Sequence, residues 1–299
     1  MQEIDLCDTV EIMLYKRLKK TKEVFLLSRQ NPRSIDDLIT IHRTRLLPKV
    51  KVSCDCSQIA GKIPDSNNIA HRAALLFLHE ARESPLFDNI TLITIHIKKQ
   101  IPLMAGLGGS STNAATVLKG LNEICHDFFS QDQLIQMGVQ LGADVPFGIV
   151  GGHALCEGIG EKITPLPDLP PTFYVIVQPN FVCDTKTAFS LYDKIGKPNK
   201  GITKVGCAEL FMPYVEKPVN CEFYANEFQA LYADERIENL CYKLQDLGAD
   251  IASLTGSGSA VFGTFTCEKL AKAAVTKLEK SGEYPFVCLA RNHNSAKLP

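Results

Sequence analysis

The 299-residue chain has no tryptophan and no surplus of either charge: 32 lysines and arginines stand against 33 aspartates and glutamates, a net of −1. Without a basic surplus it lacks the electrostatic footprint of nucleic-acid or anionic-membrane binding. Its basic runs are short, such as 16–22. No apolar run approaches the ~18 residues that a membrane-spanning helix needs. There is no low-complexity tract and no long repeat. The start, Met1-Gln-Glu-Ile-Asp-Leu, lacks the basic and apolar regions of a secretory signal.

What is present is an ordinary globular composition, 45% hydrophobic and 22% charged, with a length that favours about two domains. The 11 cysteines would suggest disulfides in a small secreted chain; in one this long, reduced thiols are the better reading. Cys54 and Cys56 have no second pair at metal-binding spacing, so no metal site is expected from them.

One stretch organises the rest: Ile101-Pro-Leu-Met-Ala-Gly-Leu-Gly-Gly-Ser-Ser-Thr-Asn-Ala-Ala115. Before it, Ile93, Ile95 and Ile97 alternate with Thr94, His96 and Lys98, a half-buried strand. After it, Ala114, Ala115, Val117, Leu118 and Leu121 recur at helical spacing. Glycines between them permit a sharp turn and close approach of a ligand. Ser110, Ser111 and Thr112 are candidate caps for the new helix. Free N–H groups at such a helix start, with the positive end of its dipole, suit a phosphate. The plainer reading is a glycine loop that only starts a helix. The run closes with no Gly-Lys-Ser/Thr and is not a GxGxxG pattern.

Along the chain, 8–15 and 49–53 read as strands, with an irregular excursion over 16–48 that includes a short helical pattern. Asn67 or Asn68 caps a helix to about Arg82. Ser84 to Asn89 is a turn. Ser130 and Gln133 form a capping box for a helix carrying Leu134, Met137 and Leu141, closed by Gly142. Residues 153–156 and the segment after Gly158–Thr164 read as strands. Pro165, Pro167, Pro170 and Pro171 mark a linker. The expected domains are therefore 1–168 and 169–299. In the second, 173–177 is a strand, 185–193 a helix and 194–219 loop-rich. Arg236–Leu247 is an amphipathic helix with Ile237, Leu240, Cys241, Leu244 and Leu247 on one face. Ser253 to Ser259 enters a strand, Ala260–Phe265; a helix then ends near Gly282, and 286–289 is the last strand. Helices on one side of a single antiparallel or mixed sheet are expected there.

Three motifs resemble the GHMP small-molecule kinases, in the right order: the 101–115 loop, Gly142-Ala-Asp-Val-Pro-Phe147, and Leu254-Thr-Gly-Ser-Gly-Ser-Ala-Val-Phe262. Within that superfamily the loop, Gly152-His-Ala154 and Glu157-Gly-Ile-Gly-Glu161 are most similar to the diphosphocytidyl methylerythritol kinases. The resemblance implies an α+β fold of two domains, the first like ribosomal protein S5 and the second ferredoxin-like. It implies ATP bound by Pro102, Ala105, Gly106, Leu107, Gly108, Gly109, Ser110, Ser111 and Thr112. Mg²⁺ would accompany the ATP, within reach of Ser111 or Thr112. Asp144 takes the family's catalytic carboxylate position, where it would orient the acceptor hydroxyl and accept its proton. The alternative is a turn-capping Asp; Leu247-Gly-Ala-Asp250 repeats the same four residues without the Val-Pro-Phe continuation and is assigned no catalysis. On the substrate side the resemblance implies Phe189 stacked on a cytosine ring, His153, and the loop Gly256, Ser257 and Gly258. Each has a structural alternative: a core Phe, a structural His, a tight turn.

The implied reaction is ATP-dependent phosphorylation of the 2-hydroxyl of 4-diphosphocytidyl-2-C-methyl-D-erythritol in non-mevalonate isoprenoid synthesis. The partner is then a small molecule, with no nucleic acid or membrane, the assembly a monomer or homodimer, and the place a bacterial cytoplasm or plastid stroma. Met1 to Val10 resembles the stretch that in the family follows its Pro-Ala-Lys-x-Asn and Asp-Gly-Tyr-His motifs, neither of which occurs here. That implies a shortened member that binds ATP better than it catalyses. Two alternatives stay open: a non-catalytic nucleotide-binding relative, and a GHMP kinase for another small alcohol.

Overall fold

The computed structural model describes residues 1–16, 48–55, 68–82, 84, 87, 90–183, 185–195 and 226–293. The expected excursion at 16–48, most of the 84–89 turn and most of the 194–219 loop lie outside the described residues.

The first half is built on a three-stranded sheet. β1 (Thr9–Lys16) pairs antiparallel with β3 (Ile90–Lys98), and β2 (Lys49–Asp55) pairs parallel on the other side of β3. Ile93, Ile95 and Ile97 of β3 point to the buried face, as their alternation requires. Against them pack α1 (Ile69–Glu80) and α2 (Gly109–Ile124). The Asn68 side chain caps α1 by accepting from Ala70 N–H. α1 is buried on most of its surface, Ala70, Ala73–Leu78 included, so it runs through the core and not along its edge. α3 (Gln131–Leu141) starts with the expected Ser130–Gln133 capping box and buries Leu134, Met137 and Leu141. A short helix the sequence did not announce, α4 (Val145–Val150), follows at once. β4 (Ala154–Glu157) and β5 (Lys162–Pro165) form a hairpin beyond it.

The second half is a four-stranded antiparallel sheet in the order β7-β8-β6-β9, made by β6 (Phe173–Gln178), β7 (Ile251–Leu254), β8 (Val261–Phe265) and β9 (Phe286–Arg291). Its helices are α5 (Thr185–Ile195), the short α6 (Glu227–Tyr232), α7 (Glu235–Asp246) and α8 (Glu268–Ser281). Such an order of strands and helices is the split β-α-β arrangement of ferredoxin-like folds. α7 delivers Ile237, Leu240, Cys241 and Leu244 to the core, as its periodicity requires, and α8 adds Ala271, Ala274 and Leu278. β7 and α6 were not foreseen: four apolar-leaning residues and a six-residue helix give too little periodicity to read.

A third, small cluster joins the halves. Ala105 and Leu107 from the glycine loop meet Ile176, Ala260 and Ala290 from the second sheet, with Ile4 and Leu6 beside them. The segment before β1 stitches both sides: Gln2 bridges to His153 and Ile4 to Asn292. The site described next lies at this seam.

Candidate active site

The chain leaves β3 after Lys98, and the glycine loop becomes α2 at Gly109. Gly106 and Gly108 both adopt left-handed backbone, at φ 74° and 66°, which a side chain resists. Gly108 is the N-cap, with no side chain to satisfy the helix start. The hydroxyl residues are therefore not the cap: Ser110, Ser111 and Thr112 lie inside α2, and Thr112 Oγ1 donates back to the Gly108 carbonyl at 3.2 Å. The reason is the glycine turn, which puts the N-cap at Gly108, two residues before the first serine. The first helical hydrogen bond runs from Thr112 N–H to the Gly108 carbonyl, 2.9 Å. The N–H groups of Gly109, Ser110 and Ser111 stand before that ladder, at the positive end of the helix dipole.

The second glycine loop supports the first. A Cβ at Gly106 would overlap the Thr255 carbonyl oxygen and stand 2.9 Å from the Gly258 backbone, so only a glycine fits between the loops. Thr255 Oγ1 donates to the Gly106 carbonyl at 3.0 Å; Ser259 and Ala260 N–H donate to the carbonyls of Met104 and Ala105 at 3.2 and 3.1 Å. Gln178 Nε2 donates to Leu103 O at 2.8 Å. Pro102 and Ala105 are buried, and Leu107 packs into the seam. These three shape the loop from within, while Gly108, Ser110 and Ser111 carry its open face.

Asp144 arrives on the opposite wall. It is the N-cap residue of α4, yet its side chain makes no capping bond. The carboxylate instead reaches toward Gly108: a Cβ there would stand in space otherwise open to 4 Å, with Asp144 Oδ2 at 3.9 Å. α4 is held close by Gly148, whose missing Cβ leaves room for Ala115 and for the α2 backbone at Ser111 and Thr112. Solvent reaches Asp144, but the protein around the cleft desolvates the carboxyl and raises its pKa above the ordinary value of 3.8. On the far side, a Cβ at Gly160 would overlap the Ala143 carbonyl oxygen, so the β4–β5 turn seats the residue before Asp144.

Comparison with known proteins decides what this cleft belongs to. Residues 68–152 match the family model "GHMP kinases N terminal domain". The chain is 33% identical over 285 residues to a 4-diphosphocytidyl-2-C-methyl-D-erythritol kinase of Clostridium perfringens (strain 13 / Type A), covering 93% of this chain and 94% of that one. It is 36% identical over 231 residues to the protein of the same name from Clostridium acetobutylicum, covering 76% and 78%. The chain belongs to the 4-diphosphocytidyl-2-C-methyl-D-erythritol kinase family of GHMP kinases. A crystal structure of 4-(cytidine 5'-diphospho)-2C-methyl-D-erythritol kinase shares the fold, with TM-score 0.66, 22% identity, and coverage of 98% of this chain and 88% of that one. Membership makes the protein a small-molecule kinase, with ATP as its phosphoryl donor.

The other residues expected on the substrate side of this kinase have different surroundings. Ser257 is buried and its hydroxyl shares a 2.9 Å hydrogen bond with Thr185 Oγ1 at the start of α5. Phe189, one turn further along α5, is not a core residue: it is 53% exposed, its ring edge-on to Phe228 at 4.9 Å. His153 is tied through Nδ1 to the Pro167 carbonyl at 2.8 Å, linking the hairpin to the proline segment. Three supporting residues escaped the sequence reading. Asn226 caps α6 with its oxygen while its Nδ2 donates to the carbonyls of Leu254 and Gly256, each at 2.9 Å. Tyr232 Oη donates to the Ser257 carbonyl at 2.9 Å. Asp8 sits beneath the first loop, bonded to both of its ends. The signal for Asn226 was present, an Asn directly before Glu227; nothing local marks Tyr232 or Asp8. Among the described residues no helix is long and apolar enough to cross a membrane.

Proposed function

We propose that this kinase phosphorylates the 2-hydroxyl of 4-diphosphocytidyl-2-C-methyl-D-erythritol, with the Gly106–Thr112 loop as the phosphate cradle and Asp144 as the catalytic carboxylate. The observation that carries the reading is the Asp144 carboxylate, unused as a cap and turned toward the open space over Gly108. A γ-phosphate held by the Gly109, Ser110 and Ser111 N–H groups would lie between loop and carboxylate. An acceptor hydroxyl on the Asp144 side is then oriented for attack, and its proton passes to the carboxylate as the bond to phosphorus forms. Desolvation raises the basicity of that carboxylate.

The donor set also suits Mg²⁺. Ser111, half-buried, and Thr112, exposed, carry hydroxyl oxygens in the first turn of α2, the Asp144 carboxylate lies by Gly108, and hard cations take such oxygen ligands. Bound with ATP, the ion would neutralise charge on the phosphates. On the acceptor side, the exposed Phe189 ring and the Gly256–Gly258 loop are the groups for a nucleobase and its diphosphate. The relatives' name supplies that substrate.

The test is ADP release by the 299-residue protein with ATP, Mg²⁺ and one acceptor at a time. Slow ADP release that depends on 4-diphosphocytidyl-2-C-methyl-D-erythritol is expected, with mevalonate and homoserine giving none above the acceptor-free rate. Turnover with either of those instead would reassign the substrate. Tight ATP binding without turnover on any acceptor would return the protein to a nucleotide-binding role.

A further inference from the structure

We propose that Asp8 is a positioning residue for nucleotide binding: one buried carboxylate that clamps the two ends of the glycine loop. The inference rests on the loop being the phosphate cradle. Oδ1 accepts from Gln100 N–H at 2.7 Å and from Ile101 N–H at 2.8 Å, where the chain leaves β3. Oδ2 accepts from the Asn113 side-chain Nδ2 at 2.9 Å, in the second turn of α2, and from Lys99 Nζ. A single side chain thus spans from strand exit to helix, with the loop arching over it. Asp8 is itself anchored, because the next residue, Thr9, opens the β1–β3 ladder opposite Lys98.

The choice of a charge for this task is informative. The Asp8 and Lys99 side chains are 1% and 6% exposed. Burying an ion pair is costly, and neutral packing of equal volume is often no less stable. Closing a strand-to-helix turn needs only a neutral acceptor. What the ionised carboxylate adds is short, directional, charge-assisted bonds to four donors at once, hence a stiff spacing between Ile101 and Asn113. The pair also lies directly under the helix start: Lys99 Nζ is 3.2 Å from where a Gly109 Cβ would stand. Loosening the clamp therefore moves the Gly109, Ser110 and Ser111 N–H groups, which would hold phosphate, and leaves Asp144 on its own helix.

The experiment uses the double variant Asp8→Ala with Lys99→Met, which removes the clamp without leaving a lone buried charge, beside Asp8→Ala alone. ATP affinity is read by calorimetry, and KM for ATP and kcat by ADP release. Asp8→Ala is expected to lower the melting temperature, and the double variant to recover much of that loss. Both are expected to weaken ATP binding about tenfold, which is about 1.4 kcal/mol, with kcat at saturating ATP within about threefold. A double variant that regains stability and binds ATP within about twofold of the parent would overturn the proposal, and so would a fall in kcat at unchanged KM. Gly108→Val separates the two levels. If it binds ATP normally, the cradle reading fails and the clamp with it; if it loses ATP while the Asp8 variants keep it, the clamp alone fails.

Discussion

Leu141-Gly-Ala-Asp144 and Leu247-Gly-Ala-Asp250 are the same four residues at the ends of two helices, and they do opposite things. After α7 the chain turns at Gly248 in left-handed backbone, φ 97°, with Gly248 and Ala249 N–H donating to the carbonyls of Gln245 and Leu244. Asp250 then enters β7 with its carboxylate occupied, accepting from Thr266 N–H at 3.0 Å. After α3, Gly142 is extended, φ 170°, and the chain restarts as a helix through Val145 and Pro146. Asp144 is left at an N-cap it does not use. The tetrapeptide does not choose between these outcomes. The residues after it do: Val-Pro-Phe favours a helix with proline in its first turn, whereas Ile-Ala-Ser-Leu continues as a strand. The Asp250 carboxylate accepts a backbone bond, and the Asp144 carboxylate makes no capping bond.

The largest expected difference between the two is catalytic. Asp144→Asn keeps shape and removes the proton acceptor, so turnover should fall by about 10²–10⁴-fold with ATP affinity retained. Asp250→Asn should turn over like the parent. Steady-state ADP release and calorimetry on both variants make the comparison. Equal, near-normal turnover would reduce Asp144 to the structural role its twin has.

The sequence spoke clearly about half of this contrast. The motif containing Asp144 stood apart because its continuation differs from that of Asp250, and in the structure Asp144 makes no capping bond. The glycine loop was legible as a loop, since Gly106 and Gly108 occupy backbone that other residues resist, yet the role of its serines as caps was misread. Periodicity could not show that the helix begins at Gly109, before the first serine. Long elements such as α7 announced themselves through a continuous apolar face, while β7 and α4 were too short to carry a period. The support beneath the site was the least legible. Asp8 meets Asn113 across 105 residues of sequence, and Tyr232 meets Ser257 across 25. No local pattern encodes a pairing whose partners are joined only by the fold.

A smaller effect should separate the glycines that shape each copy. Gly160→Ala drives a methyl into the Ala143 carbonyl from left-handed backbone, φ 97°, and the clash is relieved by a shift of the β4–β5 turn or of the backbone that carries Asp144. A displacement near 1 Å at a reacting group costs up to about 10²-fold in rate, so a loss of about tenfold in kcat is expected. Gly248→Ala meets nothing closer than Leu270 Cδ1 at 3.7 Å and suffers only its left-handed backbone. It should lose about 1 kcal/mol of stability, in line with side chains forced into such backbone, with kcat unchanged. If both variants lose stability and neither loses rate, the hairpin does not position the carboxylate.

The smallest effect concerns stability itself and runs in an unexpected direction for a conserved-shape substitution at a helix start. Desolvation raises the Asp144 pKa in the folded state above 3.8, so the native protein holds that proton more tightly than the unfolded chain. The contribution of Asp144 is therefore most favourable in acid and declines as pH rises from the ordinary carboxylate value through the raised one. At neutral pH the ionised carboxylate is a modest cost to folding. Asn is as good as Asp at an N-cap and has no charge to desolvate, so Asp144→Asn should melt slightly above the parent at pH ~7, and the gap should close as pH falls toward the unfolded carboxylate range. Asp250 supplies the contrast: Asp250→Ala forfeits the bond from Thr266 N–H and should melt lower, by about 0.5–1.5 kcal/mol. Thermal unfolding of parent and both variants across that pH range reads the two signs directly. A catalytically dead Asp144→Asn that is also less stable than the parent at neutral pH would mean the carboxylate is engaged in the free enzyme after all, and its freedom to meet a substrate hydroxyl would be lost as an explanation of its role.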